Sequence, residues 1–234
     1  MGRKLPDTGV VIAAGGSGVR LGGRIPKQFR LLNGKPVIQI ALRAFENVRP
    51  VRQIVIVVPK RYLLRTQRVV AQSGARKVVG IVPGGRTRQE SVLRGLRAFG
   101  RRPDVVLVHD AARPFVHRTL ILDVLRKAGS DRAAVPALPV RDTIKLSTRA
   151  GYLSQTLDRS KLWVVQTPQG FHFDLLFKAH RLAARRRVRA TDDAALVERL
   201  GVPVCIVRGS LRNIKITERS DLLLAKKWSK TGFR

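Results

Sequence analysis

Ala13-Ala14-Gly15-Gly16-Ser17-Gly18-Val19-Arg20 follows directly on a short apolar run, Val10–Ala14. Glycines at such a place let backbone N–H groups approach a phosphate closely, because no Cβ intervenes. The stretch is not a Walker A loop, since no Gly-Lys-Ser/Thr follows. It is not a dinucleotide fingerprint either: Leu21 stands where the third glycine of G-x-G-x-x-G, counted from Gly16, would fall. Taken alone, the glycines fit a tight turn as well as a phosphate site. Arg20 and Lys27 favour the second, because they flank a polar loop that ends in Pro26-Lys27-Gln28-Phe29. A guanidinium and an ammonium beside such a turn suit a triphosphate attacked at its α-phosphorus. Negative charge then grows on the phosphoryl oxygens and on the leaving pyrophosphate.

Other side chains read less sharply. Asp110 closes a β-branched run and could cap a helix, be solvated at a strand end, hold Mg²⁺ or bind an acceptor hydroxyl. His109 reads as a strand-end residue rather than a general base. Trp163 and Phe171 read as packing residues, and Cys205 as a small buried hydrophobe.

The elements that must position these residues alternate in type. Val10–Ala14, Gln53–Pro59, Lys77–Val82, Asp104–His109 and Ala133–Ala137 read as buried strands. Pro36–Asn47, Arg61–Ser73, Thr87–Phe99 and Arg118–Ala128 read as the helices between them. This rhythm predicts an α/β fold of Rossmann-like kind, a mostly parallel sheet covered by helices on both faces. Such sheets take ligands at the carboxyl ends of their strands. After Pro139 the rhythm breaks. Val140–Gln155 alternates around Gly151-Tyr152 and reads as a hairpin or projecting arm. Helices are expected again at Phe173–Arg186 and Asp192–Leu200, and strands at Pro203–Val207 and Arg212–Ile216. A last helix is expected from Glu218 to Trp228, with Thr217 as its N-cap. No repeat and no Pro/Gly/Ser linker divides residues 1–234, so one domain is expected, with an arm at about 140–157.

Composition narrows the classes. At 44% hydrophobic residues the chain can build a core, which excludes wholesale disorder. One cysteine excludes an internal disulfide framework and suits a reducing compartment. Four histidines and one thiol without ligand spacing argue against structural zinc. No apolar run approaches the roughly 20 residues of a membrane span, and Met1–Thr8 resembles neither a signal nor a transit peptide. A cytoplasmic enzyme without membrane attachment is therefore expected. Lys and Arg total 47 against 15 acids, a formal charge of +32. Such a field attracts polyphosphates and could hold nucleic acid. The one dense run, Arg185–Arg189, carries no interleaved aromatics and no recognisable nucleic-acid module, so nucleic-acid binding is not expected.

Ala-Ala-Gly-Gly-x-Gly-x-Arg, Pro26-Lys27-Gln28-Phe29 and Gly34-Lys35-Pro36-Val37 resemble the opening of sugar-nucleotide pyrophosphorylases and cytidylyltransferases. Further blocks narrow the resemblance. They are Gly84-Gly85-Arg86-Thr87-Arg88-Gln89-Glu90-Ser91-Val92, His109-Asp110-Ala111-Ala112-Arg113-Pro114-Phe115, Asp142-Thr143-Ile144-Lys145, Gln166-Thr167-Pro168-Gln169, Thr191-Asp192-Asp193-Ala194 and Asn213-Ile214-Lys215-Ile216-Thr217. In this order they are similar to the 2-C-methyl-D-erythritol 4-phosphate cytidylyltransferase family, from Val10 to about Lys227. Ribitol-5-phosphate cytidylyltransferases share the loop and two of the blocks. Pro139–Lys145 and Thr191–Ala194 stand closer to the methylerythritol phosphate group.

The resemblance implies cytidylyl transfer from CTP to methylerythritol phosphate in the non-mevalonate isoprenoid pathway, with a divalent cation, Mg²⁺, and a homodimer. It implies that Ala13, Ala14, Gly15, Gly16 and Gly18 wrap the triphosphate. Gly85 and Ser91 would contact cytosine, and Arg20, Lys27 and Lys215 would carry the catalytic charge. Asp110, Arg113, Thr143, Arg159 and Thr191 would meet the acceptor, Asp110 also lying near the metal. Thr143 and Arg159 would lie on or beside an arm that reaches into a partner subunit.

Overall fold

Strands with no polar residue inside them must be covered on both faces, and the chain supplies helices for each face. A computed structural model describes residues 5–16 and 25–230. In chain order the strands are β1 (Thr8–Ala13), β2 (Leu31–Leu32), β3 (Lys35–Pro36), β4 (Val51–Val58), β5 (Val78–Pro83), β6 (Val105–Asp110), β7 (Ala133–Pro139), β8 (Lys145–Ser147), β9 (Leu153–Thr156), β10 (Trp163–Val165), β11 (Gln169–His172) and β12 (Cys205–Arg208). The helices are α1 (Val37–Glu46), α2 (Leu63–Ser73), α3 (Arg88–Arg97), α4 (Arg118–Asp131), α5 (Phe173–Arg185), α6 (Ala194–Glu198) and α7 (Arg219–Lys230).

The main sheet runs β5-β4-β1-β6-β11-β7-β12. β1 pairs in parallel with β4 and β6, β4 with β5, and β7 with β12. β11 is antiparallel to both β6 and β7, and β10 continues its line along the far half of β7. Alternate strand residues serve opposite layers. Val10, Ile12, Ile54, Ile56 and Leu107 pack under α1, α2 and α4. Val11, Val55, Val57, Val106 and Val108 pack under α3, α5 and α6. On α1 the buried Ile38, Leu42 and Phe45 fall at i, i+4 and i+7, one face of a helix. Gly95 lets α3 lie close on the sheet: a Cβ there would stand 2.6 Å from Val11 Cγ1.

The expected α/β fold, with its five strands and first four helices, is observed, but β5 is an edge strand that is only partly covered, not a buried one. The hairpin is present as β8 and β9, a separate two-stranded antiparallel sheet whose residues are all exposed. Four expectations need correction, that of β5 among them. Arg212–Ile216 is not a strand, because its amides find single partners instead of a ladder: Asn213 N–H donates to Ser210 O and Ile216 N–H to Ala112 O. Thr217 is not the acceptor at the start of α7. Instead Asp221 Oδ2 reaches back and accepts from the Thr217 and Glu218 amides and from the Thr217 hydroxyl. The charged carboxylate takes three donors that a hydroxyl could not. Trp163 is 40% exposed on β10 and Cys205 is only half-buried, its thiol 3.4 Å from Asp131 Oδ1. Both lie on short strands away from the covered middle of the sheet. Phe171, in contrast, is fully buried in the core.

Candidate active site

Parallel strands deliver their carboxyl ends to one edge, and five of the blocks singled out in the sequence meet there. One cleft is bordered by Ala13 to Gly16 after β1, by Gly85 to Arg88 before α3, by Asp110 at the end of β6, and by Lys27 and Lys215. Arg20 and Gly18 lie outside the described residues. Gly16 and Lys27 are neighbours: a Cβ on Gly16 would stand 3.0 Å from Lys27 Cε. Behind them Gln28, almost wholly buried, donates from Nε2 to the Ala14 carbonyl at 2.8 Å and ties the loop after β1 to the Lys27 turn.

The loop from β5 to α3 is held from within. Thr87 caps α3, its hydroxyl accepting from Glu90 N–H, while Glu90 Oε2 accepts from Arg86 N–H. This is a capping box displaced by one residue. Ser91 Oγ donates to Thr87 O and accepts from Gly85 N–H at 3.0 Å. Gly85 has no room for a side chain, since a Cβ would fall 2.3 Å from Glu90 Cβ. α3 thus presents its N-terminal turn, which favours anions, to the cleft.

Asp110 is the one carboxylate among the described residues that border the cleft. Its Oδ2 lies 2.6 Å from Lys215 Nζ and its Oδ1 3.2 Å from Arg88 Nε. Burial alone would favour its neutral form. The charge of Arg88, then of Lys215, outweighs burial and holds the carboxyl well below the usual carboxylate range. Burial likewise opposes the charge on Arg88, but Asp193 and Asp110 more than offset it.

The neighbouring His109 is fully buried. Its Nε2 lies 3.0 Å from Arg113 O and its Nδ1 3.1 Å from Thr167 Oγ1, which also accepts from Asp110 N–H. This pattern assigns the proton to Nε2. Burial pushes the ring's pKa down to about 4, so the imidazole is neutral and structural, as expected.

The segment that carries Lys215 is pinned by buried groups. Arg113 Nη1 donates to Asn213 O at 2.7 Å, and Asn213 Nδ2 donates to Thr167 O at 2.8 Å. Arg113, expected to meet the acceptor, is buried behind this segment and does not border the cleft. Thr143 and Arg159 are exposed on and beside the hairpin, Arg159 Nη1 donating to Arg141 O. Thr191 is exposed on the loop before α6. Within one chain these three stand apart from the cleft. Arg88, Gln28, Thr167 and Asn213 received no individual role in the sequence, although each lies in one of the blocks that carried the resemblance.

The cleft therefore combines a glycine-bearing strand-end loop, a helix N-terminus and several cations around one carboxylate. On a parallel α/β sheet this arrangement defines a nucleotidyltransferase. The chain belongs to the 2-C-methyl-D-erythritol 4-phosphate cytidylyltransferase (IspD) family, whose model matches residues 8–230. It is 46% identical over 219 residues to the 2-C-methyl-D-erythritol 4-phosphate cytidylyltransferase of Pelotomaculum thermopropionicum, covering 92% of this chain and 91% of that one. It is 42% identical over 221 residues to the enzyme of that name from Desulforamulus reducens, covering 94% of each. Among solved structures, the 2-C-methyl-D-erythritol 4-phosphate cytidylyltransferase of Thermus thermophilus superposes with a TM-score of 0.76 at 37% identity, over 94% of this chain and 98% of that one. The 4-diphosphocytidyl-2C-methyl-D-erythritol synthase of Anaerococcus prevotii does so with a TM-score of 0.84 at 26% identity, over 95% and 96%.

Proposed function

We propose that this cleft transfers the cytidylyl group of CTP to 2-C-methyl-D-erythritol 4-phosphate, giving 4-diphosphocytidyl-2-C-methyl-D-erythritol and pyrophosphate, a step of the non-mevalonate isoprenoid pathway. The family match favours this acceptor over ribitol 5-phosphate. The observation that carries the residue assignment is the placing of Lys27 against the Gly15-Gly16 loop and of Lys215 on Asp110 in one cleft.

The acceptor phosphate is a competent nucleophile as its dianion. One of its oxygens forms a bond to the α-phosphorus as the bond to the bridging oxygen of the β-phosphate breaks. The electron pair leaves with pyrophosphate, and no proton needs to move. The obstacle is repulsion between two anions, which Lys27, Lys215 and Arg20 offset. Backbone groups of Ala13 to Gly16 and of Gly18 hold the triphosphate, while Gly85 and Ser91 read the base. Asp110, with Thr143 and Arg159 from the arm of a second subunit, takes the acceptor, while Arg113 supports the site from behind by holding the Lys215 segment through Asn213 O. The wholly exposed β8–β9 hairpin supports a homodimer built through that arm.

Mg²⁺ is commonly held by one or two carboxylates together with substrate phosphates and water. A single ionised carboxylate in a phosphate cleft fits that pattern, so Asp110 is the residue that would hold it. The ion would neutralise phosphate charge. Among the described residues no helix is long and apolar enough to cross a membrane. With a single cysteine and CTP as substrate, a cytoplasmic enzyme is the reading we adopt.

Pyrophosphate release from CTP with each acceptor tests the reaction. Methylerythritol phosphate is expected to be the preferred acceptor, and preference for ribitol 5-phosphate would overturn the substrate assignment. Lys27→Ala is expected to fold normally and lose on the order of 10²–10³ in turnover. Near wild-type turnover would remove Lys27 from the catalytic set.

A further inference from the structure

The ion pair that faces the cleft is the outer end of a longer chain of charge. Lys215 Nζ meets Asp110 at 2.6 Å, and Arg88 Nε meets the other Asp110 oxygen at 3.2 Å. Arg88 Nη1 meets Asp193 Oδ2 at 2.7 Å, and Asp193 Oδ1 meets His180 Nε2 at 2.9 Å. Asp193 and His180 are completely buried. The Asp193 backbone is fixed as well, because Gln169 Oε1 accepts from the amides of Asp193 and Ala194. A guanidinium is a planar fork, so two of its nitrogens bound to two carboxylates set its orientation.

This arrangement resolves a difficulty of the site. Lys215 must leave Asp110, or share it, when its ammonium turns to a substrate phosphate. Asp110 is 11% exposed in its side chain. A carboxylate so enclosed is unstable without a compensating charge. We propose that Arg88, clamped from behind by Asp193 and His180, is a positioning residue that keeps Asp110 fixed and compensated while Lys215 is released to the substrate. Arg88 then acts through Asp110 and not by holding CTP. The inference rests on the reading of Asp110 and Lys215 as groups of the reacting end of the cleft.

Initial-rate kinetics with both substrates on Arg88→Gln, Arg88→Lys, Asp110→Asn and the Arg88→Gln/Asp110→Asn double variant test it, with thermal unfolding to confirm that each is folded. Arg88→Gln is expected to lose about 10²-fold in kcat while the KM for CTP stays near wild type. Arg88→Lys keeps the charge but cannot span both carboxylates, so it should recover part of that loss. The double variant should match Asp110→Asn within about twofold, because Arg88 has no charge left to compensate at position 110 once the carboxylate is gone. Should Arg88→Gln fail to fold, Arg88→Lys still decides, by a reduced kcat at unchanged KM for CTP. Losses that multiply in the double variant would overturn the proposal. So would a KM for CTP that rises in step with the loss of rate, since that outcome marks Arg88 as a direct nucleotide contact. Wild-type kinetics in Asp110→Asn alone would overturn the reading of the site itself, and the proposal with it.

Discussion

Lys215→Ala separates charge needed by the reaction from charge needed by the fold. Lys215 Nζ pairs with Asp110, and 39% of the lysine side chain is exposed. For a pair screened to that degree the contribution to stability is about 0–1 kcal/mol. Asp110 keeps Arg88 on its other oxygen, so its charge is not stranded. The chain around position 215 also stays pinned, through Asn213 Nδ2 on Thr167 O and Ile216 N–H on Ala112 O. Loss of the half-buried aliphatic stem adds about 1 kcal/mol. The total of about 1–2 kcal/mol corresponds to a fall in Tm of about 2–8 °C for a chain of this size. The kinetic cost is larger. Removing one donor aimed at developing negative charge costs on the order of 10²–10³ in rate, or about 2.7–4 kcal/mol. Thermal unfolding and pyrophosphate release at saturating CTP and acceptor measure the two quantities separately. Turnover within tenfold of wild type in a folded variant would refute the assignment of Lys215 to the reacting phosphates. A collapse in Tm with a proportionate loss of activity would refute it equally, by making the lysine structural.

Three further outcomes are expected. Ser91→Ala removes the acceptor for Gly85 N–H and the donor to Thr87 O, so it should cost about 1–3 kcal/mol. It should also raise the KM for CTP while sparing that for the acceptor, and a variant unchanged in both denaturation and kinetics would count against Ser91 as the support of the base site. Burial favours the neutral form of Asp193, but Arg88 and His180 outweigh it and hold the carboxyl below its usual range. A folded pKa below the unfolded one stabilises above the unfolded value of about 3.9 and loses that effect as pH falls through the folded value. The stability gap between wild type and Asp193→Asn should therefore narrow below about pH 4 in denaturant titrations, whereas a gap constant down to about pH 3 would contradict the ion pair. Leu146→Asp with Leu153→Asp places charge on two leucines that are 46% and 69% exposed on the hairpin. Sedimentation should show monomers with reduced turnover, and an intact dimer would remove the arm from the interface.

The sequence made the frame legible because local patterns carried it. Val10–Ala14 and Gln53–Pro59 are runs that can only be covered strands, and Ile38, Leu42 and Phe45 mark one helix face. β10 and β11 were not legible for a physical reason. They are three and four residues long, a polar block separates them, and their direction is fixed only by pairing with β6 and β7. Arg212–Ile216 reads as a strand through the alternation of Ile214 and Ile216 with Asn213 and Lys215, whereas its course is set by the buried Asn213 amide. The glycine-bearing loop and Lys27 were visible because glycine and cation types are informative next to a first strand. Arg88 was not, because a chain with 47 Lys and Arg gives no one arginine a signature. Its meaning depends on Asp193, which is 105 residues away.

The antiparallel insertion does more for the site than the parallel frame around it. The frame brings the loop after β1, the start of α3 and the end of β6 to one edge, as any sheet of this kind would. β11 and the residues before it then serve both carboxylates. Thr167 Oγ1 accepts from Asp110 N–H, and two residues on Gln169 Oε1 accepts from Asp193 N–H. One short stretch therefore sets the separation of Asp110 and Asp193, the two anions that Arg88 must span. Thr167 O and Gln166 Oε1 also receive the Asn213 amide and so fix the segment of Lys215. Among the described residues the Gln-Thr-Pro-Gln block does not border the cleft. It sets the spacing of Asp110 and Asp193 and fixes the segment of Lys215, which gives a physical reason for an uncharged sequence to stand among the blocks that carried the resemblance.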